Sequence, residues 1–72
     1  MSMFPRNSKI RHRNGSVYEV LLLPTDALRV EATQELAYAY WSAKPKKGAE
    51  RTIWIRPQTE VEDGRFTLVT GE

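Results

Sequence analysis

The chain contains no cysteine among its 72 residues and only one histidine, His12. The missing thiols exclude disulfide staples, thiolate metal sites and a cysteine nucleophile together. Small secreted domains are usually stapled, so a cysteine-free chain of this size points to a reducing, cytoplasmic setting. One histidine with scattered carboxylates supplies no metal-ligand cluster, so no metal and no other cofactor is expected. No nucleophile elbow accompanies His12, which leaves a hydrolytic triad without parts. Long apolar runs are missing too. The apolar run at residues 20–23 is far too short to span a bilayer, so no membrane association is expected. Residues 1–8 lack the apolar stretch of a signal peptide. Internal repeats and low-complexity segments are absent as well.

What remains is the composition of one small folded domain. Hydrophobic residues make up 40% and charged residues 28%. A chain this short buries only roughly 60% of its unfolded surface, so its core is small. The net charge of +2 permits nucleic-acid contact without arguing for it.

Residues 1–8, with Pro5, Asn7 and Ser8, read as a flexible arm that Phe4 can pin to the body. A single domain is expected over residues 9–70. Residues 9–13 alternate weakly and meet Asn14-Gly15, a strong hairpin signal for a two-residue turn with positive φ at both positions. Residues 16–23 are rich in β-branched and aromatic side chains. Apolar on both faces toward Leu23, they predict the most buried strand, ended by Pro24. Residues 51–56 predict another strand, with Ile53 and Ile55 joining Val20 and Leu22 in the core. Asp63-Gly64 marks a turn before a short last strand over residues 65–69.

The stretch between Thr25 and Ser42 supports two readings. Leu28, Ala32, Leu36 and Tyr40 recur every four residues, and Thr25 or Asp26 can cap a helix. That pattern gives an α+β alternative with a helix over about 26–42. The other reading places a loop or short turn first and a strand over residues 36–42. That strand then pairs with residues 51–56 across the turn at Lys44-Pro45-Lys46-Lys47-Gly48.

Three blocks tip the choice. Arg11-His12, Gly15 and Tyr18-Glu19-Val20 form the first, Glu35-Leu36-Ala37-Tyr38 the second, and Trp54-Ile55-Arg56-Pro57 the third. In this order they resemble a family of small, uncharacterised bacterial and phage proteins with the pattern R-H-x-x-G-x-x-Y-x-V … E-x-x-V-V-Y … W-V-R-P-x-x-x-F. The resemblance spans about residues 9–66. It implies a small SH3-like β-barrel of about five short antiparallel strands, hence the strand reading of residues 36–42. It also implies a host factor as partner. The chain departs from the family between Leu23 and Glu35, where a histidine-containing stretch is missing, and in its longer loop over residues 43–50.

Candidate binding residues fall in two groups. Trp41, Lys44, Lys46, Lys47 and Arg51 join an aromatic to a cationic loop. Loops on a rigid scaffold commonly carry recognition, and binding surfaces favour Trp and Tyr. Arg11, His12 and Arg13 form the second group. Each has a structural account beside the functional one. The aromatics Tyr18, Tyr38, Tyr40, Trp41 and Trp54 can be core volume, with Trp41 the one expected outside. The lysines can be solvated charges that deter edge aggregation. His12 can pack its ring or bond the backbone, and Arg56 can clamp Glu19 or stack on Trp54. Glu60, Glu62 and Asp63 read as a solvated loop, without calcium-loop spacing. These features predict a non-enzymatic binding module for a protein partner. Nucleic-acid binding through the lysine loop and exposed aromatics is the alternative, and oligomeric state is left open.

Overall fold

The computed structural model describes residues 3–70. Five strands carry the fold: β1 (Lys9–His12), β2 (Val17–Leu22), β3 (Ala37–Ser42), β4 (Trp54–Pro57) and β5 (Phe66–Leu68). A 3-10 turn over Pro24–Asp26 and a one-turn helix α1 (Gln58–Val61) complete it. The strands form one sheet in the order β4-β3-β2-β1-β5, and every neighbouring pair is antiparallel. The fold is therefore all-β, with five short antiparallel strands. The sheet stays open: β4 and β5 are its two edges and do not pair to close a barrel. β5 has three residues and β4 has four, the last a proline, so neither edge offers a long ladder for closure.

The helix considered over 26–42 does not form. Pro24 starts a 3-10 turn that ends at Ala27 with φ 61°. Gln34 has φ 66°, a second left-handed residue that a continuous helix cannot contain. Between them the chain doubles back: Val30 N–H donates to Glu35 O at 2.9 Å, and Ala37 N–H to Leu28 O at 2.9 Å. The four-residue recurrence of Leu28, Ala32, Leu36 and Tyr40 therefore spans a turn and a strand.

The first turn also differs from the two-residue form expected of Asn14-Gly15. Of that pair only Gly15 has positive φ, 97°. Gly15 N–H donates to His12 O and His12 N–H to Ser16 O, each at 2.8 Å. That is a three-residue hairpin loop with glycine at its left-handed position. Asn14 instead uses its side chain, whose Oδ1 accepts the Ser16 N–H at 2.9 Å.

The main core cluster lies on one face of the sheet, while Ala37 and Ala39 are buried on the other. Ile10, Val20, Tyr38, Tyr40 and Phe66 come from the strands, Val61 from α1 and Phe4 from the N-terminal segment. Strand alternation places Tyr38 and Tyr40 together and turns Ala37 and Ala39 to the opposite face. Tyr40 meets Tyr18 edge-on at 5.1 Å between ring centroids and Phe66 at 5.6 Å, a favourable aromatic geometry.

Three residues expected in the core are outside it. Val20 is fully buried, but Leu22, Ile53 and Ile55 are exposed. The β2–β3 register shifts between Val20 and Leu22, which sets Leu22 opposite Ala39 on the outer face. Ile55 pairs with Ala39 from the edge strand and faces the same way, where it is 55% exposed. Strand β4 begins at Trp54, three residues later than Arg51.

The segment read as a flexible arm is fastened over residues 3–8. Phe4 is 2% exposed. Asn7 N–H donates to Val20 O at 2.8 Å, and Val20 N–H to Ser8 O at 2.9 Å. Residues 1 and 2 of that arm lie outside the described residues. Among the described residues, no helix is long and apolar enough to cross a membrane.

Candidate functional site

Antiparallel connectivity puts the β1–β2 turn and the loop over residues 43–53 at one end of the sheet. The two groups singled out in the sequence, residues 11–13 and 41–51, are thereby brought to neighbouring positions. Not all of them remain available.

Trp41 does not stand free. It lies across from Glu19 on the outer face, and its Nε1–H donates to Glu19 Oε1 at 2.9 Å. The Arg51 guanidinium carbon sits 3.7 Å from the Trp41 ring centroid, a cation–π contact. Arg51 Nη2 and Nε also donate to Ser42 O at 2.7 and 3.2 Å. Trp41 and Arg51 thus lock each other, and together they anchor the base of the long loop. The expectation that Trp41 is the outside tryptophan is corrected accordingly.

Trp54 is the exposed indole, 52% accessible. It pairs with Tyr40 across β3–β4 and so lies on the opposite face from Trp41. Two open hollows meet at Trp54. One, of about 310 Å³, lies under the long loop against Lys44, Lys46, Glu50 and Arg51. The other, of about 440 Å³, runs along the β1–β2 turn against Gly15, Ser16 and Tyr18. Ser42, Lys44 and Trp54 line both. Lys44, Lys46 and Lys47 are exposed, and among the described residues none of the three forms an ion pair.

The first-turn group divides. His12 packs edge-on against Phe66, with ring centroids 5.0 Å apart, and its Nδ1 accepts the Asn14 N–H at 3.1 Å. That is the packing and backbone-bonding role. Arg11 and Arg13 are exposed beside it.

Arg56 finds partners other than those expected. Its Nε donates to Tyr40 Oη at 3.1 Å, and its Nη1 lies 3.7 Å from Glu60 Oε1. Burial pushes the Tyr40 hydroxyl up from its ordinary range, and the Arg56 hydrogen bond partly offsets this.

Glu62 is the residue whose role the sequence did not signal. Its Oε2 accepts the Tyr38 hydroxyl, the Met3 N–H at 3.0 Å and the Gln58 Nε2 at 3.1 Å. Desolvation pushes its carboxyl up, but the bonds from Tyr38, Met3 and Gln58 outweigh this and hold it below the usual carboxylate range. The same carboxylate fastens the N-terminal segment, β3 and α1 to one another. Asp63 is also engaged, accepting Arg65 Nη2 at 2.7 Å and Nε at 3.1 Å. Glu60 Oε1 lies 3.7 Å from both Arg56 Nη1 and Arg65 Nη1, so the reading of residues 60–63 as merely solvated fails at all three carboxylates. Two of the three partners of Glu62, Met3 and Tyr38, are distant in sequence, so local sequence carries little signal for it.

Compared with known proteins, the chain matches no protein-family model, no curated protein and no solved structure.

Proposed function

We propose that this chain is a non-enzymatic binding module that takes a protein partner at the sheet end where the first turn and the long loop converge. The observation that carries the reading is Trp54, a large exposed indole forming the shared wall of two adjoining hollows. Aromatic side chains seated centrally in such surfaces dominate binding energy. The scaffold beneath is rigid: Tyr18, Tyr40 and Phe66 interlock on the core side, while Trp41, Arg51 and Glu19 clamp the outer face. Lys44, Lys46 and Lys47 along the rim suit a partner segment that carries carboxylates. The resemblance to small bacterial and phage proteins suits a host protein in that role.

The same lysines beside an exposed indole favour the second reading, single-stranded nucleic acid held by phosphate contact and base stacking. Ionic strength separates the two. Partners captured from source-cell extract on immobilised wild-type protein should be lost with Trp54→Ala and retained with Lys44, Lys46 and Lys47 all changed to Gln. A single-stranded oligonucleotide should bind weakly at physiological salt. Tight oligonucleotide binding with a steep salt slope, flattened by the triple lysine change, would replace the protein partner with nucleic acid.

A further inference from the structure

Strand β4 has a neighbour on one side only. Its register with β3 fixes where its backbone groups point. Gln58 N–H donates to Leu36 O at 2.7 Å, so positions 36 and 58 form a hydrogen-bonded pair. The antiparallel repeat makes Tyr38/Arg56 and Tyr40/Trp54 hydrogen-bonded pairs as well. Trp54 and Arg56 therefore turn their N–H and C=O groups toward β3. Ile55 turns its own to the open edge, and the same alternation carried one residue before β4 gives Ile53 that direction too. The next outward residue, Pro57, has no N–H, which ends the usable edge there.

The side chains of this edge are unusual. Ile53, Trp54 and Ile55 are consecutive and are 56%, 52% and 55% exposed. Soluble proteins blunt such edges with an inserted lysine, a proline or a bulge. β4 carries a charge and a proline at its far end, Arg56 and Pro57, but none of these devices lies between residues 53 and 55.

We infer that the β4 edge pairs with the β4 edge of a second copy, antiparallel, with the two-fold axis between the two Trp54 residues. In this register Ile53 of each copy stands opposite Ile55 of the other. The outward groups of these residues then supply both partners of every cross-copy backbone hydrogen bond. Trp54 meets Trp54 at the non-hydrogen-bonded site, where side chains come closest. Each exposed apolar side chain of the strand gains an apolar partner. A register centred on Ile55 sets Ile53 against Pro57 and leaves the Ile53 carbonyl without a donor. The charges choose the direction. Residues 44–51 carry Lys44, Lys46, Lys47 and Arg51 against Glu50 alone, whereas residues 56–65 carry Glu60, Glu62 and Asp63 against Arg56 and Arg65, so the first end is strongly cationic and the second weakly acidic. Antiparallel pairing lays the cationic end of one copy beside the acidic end of the other; parallel pairing sets like beside like. The interface is self-complementary, as a two-fold dimer requires, and it joins two five-stranded sheets into one. It shares Trp54 with the partner reading, since that indole lines both hollows, but its own tests use Ile53 and Ile55, which line neither.

Sedimentation equilibrium tests it, between about 10 µM and about 1 mM, the range in which short-edge association is measurable. The wild-type chain should show a monomer–dimer equilibrium. Ile55→Lys should be monomeric with an unchanged circular dichroism spectrum. The cysteine-free background adds a register test, since a disulfide needs Cβ atoms about 4 Å apart. Trp54→Cys should oxidise to a covalent dimer. Ile53→Cys should link efficiently only when mixed with Ile55→Cys. Three results overturn the inference: a wild-type monomer throughout, a dimer that survives Ile55→Lys, or Ile53→Cys linking to itself as fast as Trp54→Cys.

Discussion

Trp41 and Glu19 face each other across β2 and β3, and the indole Nε1–H donates to the Glu19 carboxylate at 2.9 Å while Arg51 covers the ring at 3.7 Å. This clamp makes Trp41 part of the framework and leaves Trp54 to the surface. Trp41→Ala should therefore cost about 1–3 kcal/mol through the lost cation–π contact and hydrogen bond. Trp54→Ala should stay within about 0.5 kcal/mol, as surface changes do. Urea unfolding of the two variants, run on dilute monomer, checks the assignment; the reverse order would return Trp41 to the outside.

Burial separates side chains of similar chemistry. Ile10 and Val20 are fully enclosed, while Leu22 and Ile53 lie on the outer face. Ile10→Ala should cost about 2–5 kcal/mol, the range for a core aliphatic side chain that leaves a cavity. Leu22→Ala and Ile53→Ala should each cost less than about 1 kcal/mol, because little area returns to water. Denaturant midpoints at constant slope read the difference.

Acid should act through Glu62. Its carboxyl titrates below the ordinary 4.5 in the folded chain because Tyr38, Met3 and Gln58 bond the ionised form. The unfolded chain takes up that proton first as pH falls. The stabilisation is thus complete above pH 4.5 and is lost as pH drops through the lower folded value. Glu62→Gln should be less stable at neutral pH, and its stability should fall less steeply between neutrality and acid. Thermal unfolding across that range measures both. Equal acid slopes in the two proteins would show that Glu62 is not held as described.

Charge on the long loop should matter little to folding. Lys44, Lys46 and Lys47 make no ion pairs among the described residues. Changing all three to Gln should move stability by less than about 0.5 kcal/mol. The effect belongs in association rates, which should lose their dependence on ionic strength for an acidic partner. Stopped-flow binding at low and high salt reads it.

The strands were legible where pattern and turn chemistry agreed. Val17 to Leu22 is β-branched and aromatic and ends near Pro24, and β2 forms there, but the most buried strand is β3 and not β2, of which only Val20 is fully enclosed. The strand at Ala37–Ser42 was a harder choice, because alanine-rich sequence favours helix locally. Pairing with Trp54–Pro57 overrides that preference, since a hydrogen-bonded neighbour on each side outweighs tenths of a kcal/mol per residue. What could not be read was which face of an edge strand is covered. Ile53 and Ile55 look like core by composition, and only the strand order leaves them bare. The site was half legible for the same reason. The lysine loop and the tryptophans were singled out, but the one-residue alternation that puts Trp41 and Trp54 on opposite faces depends on register.

The most direct test of the binding reading is the affinity of one purified captured partner for the wild-type chain and for Trp54→Ala, measured by calorimetry at physiological salt. A central aromatic anchor predicts a loss of about 2 kcal/mol or more, on the order of 30-fold in affinity, with folding unchanged. An affinity within about twofold of wild type, again with folding unchanged, would contradict Trp54 as the anchor.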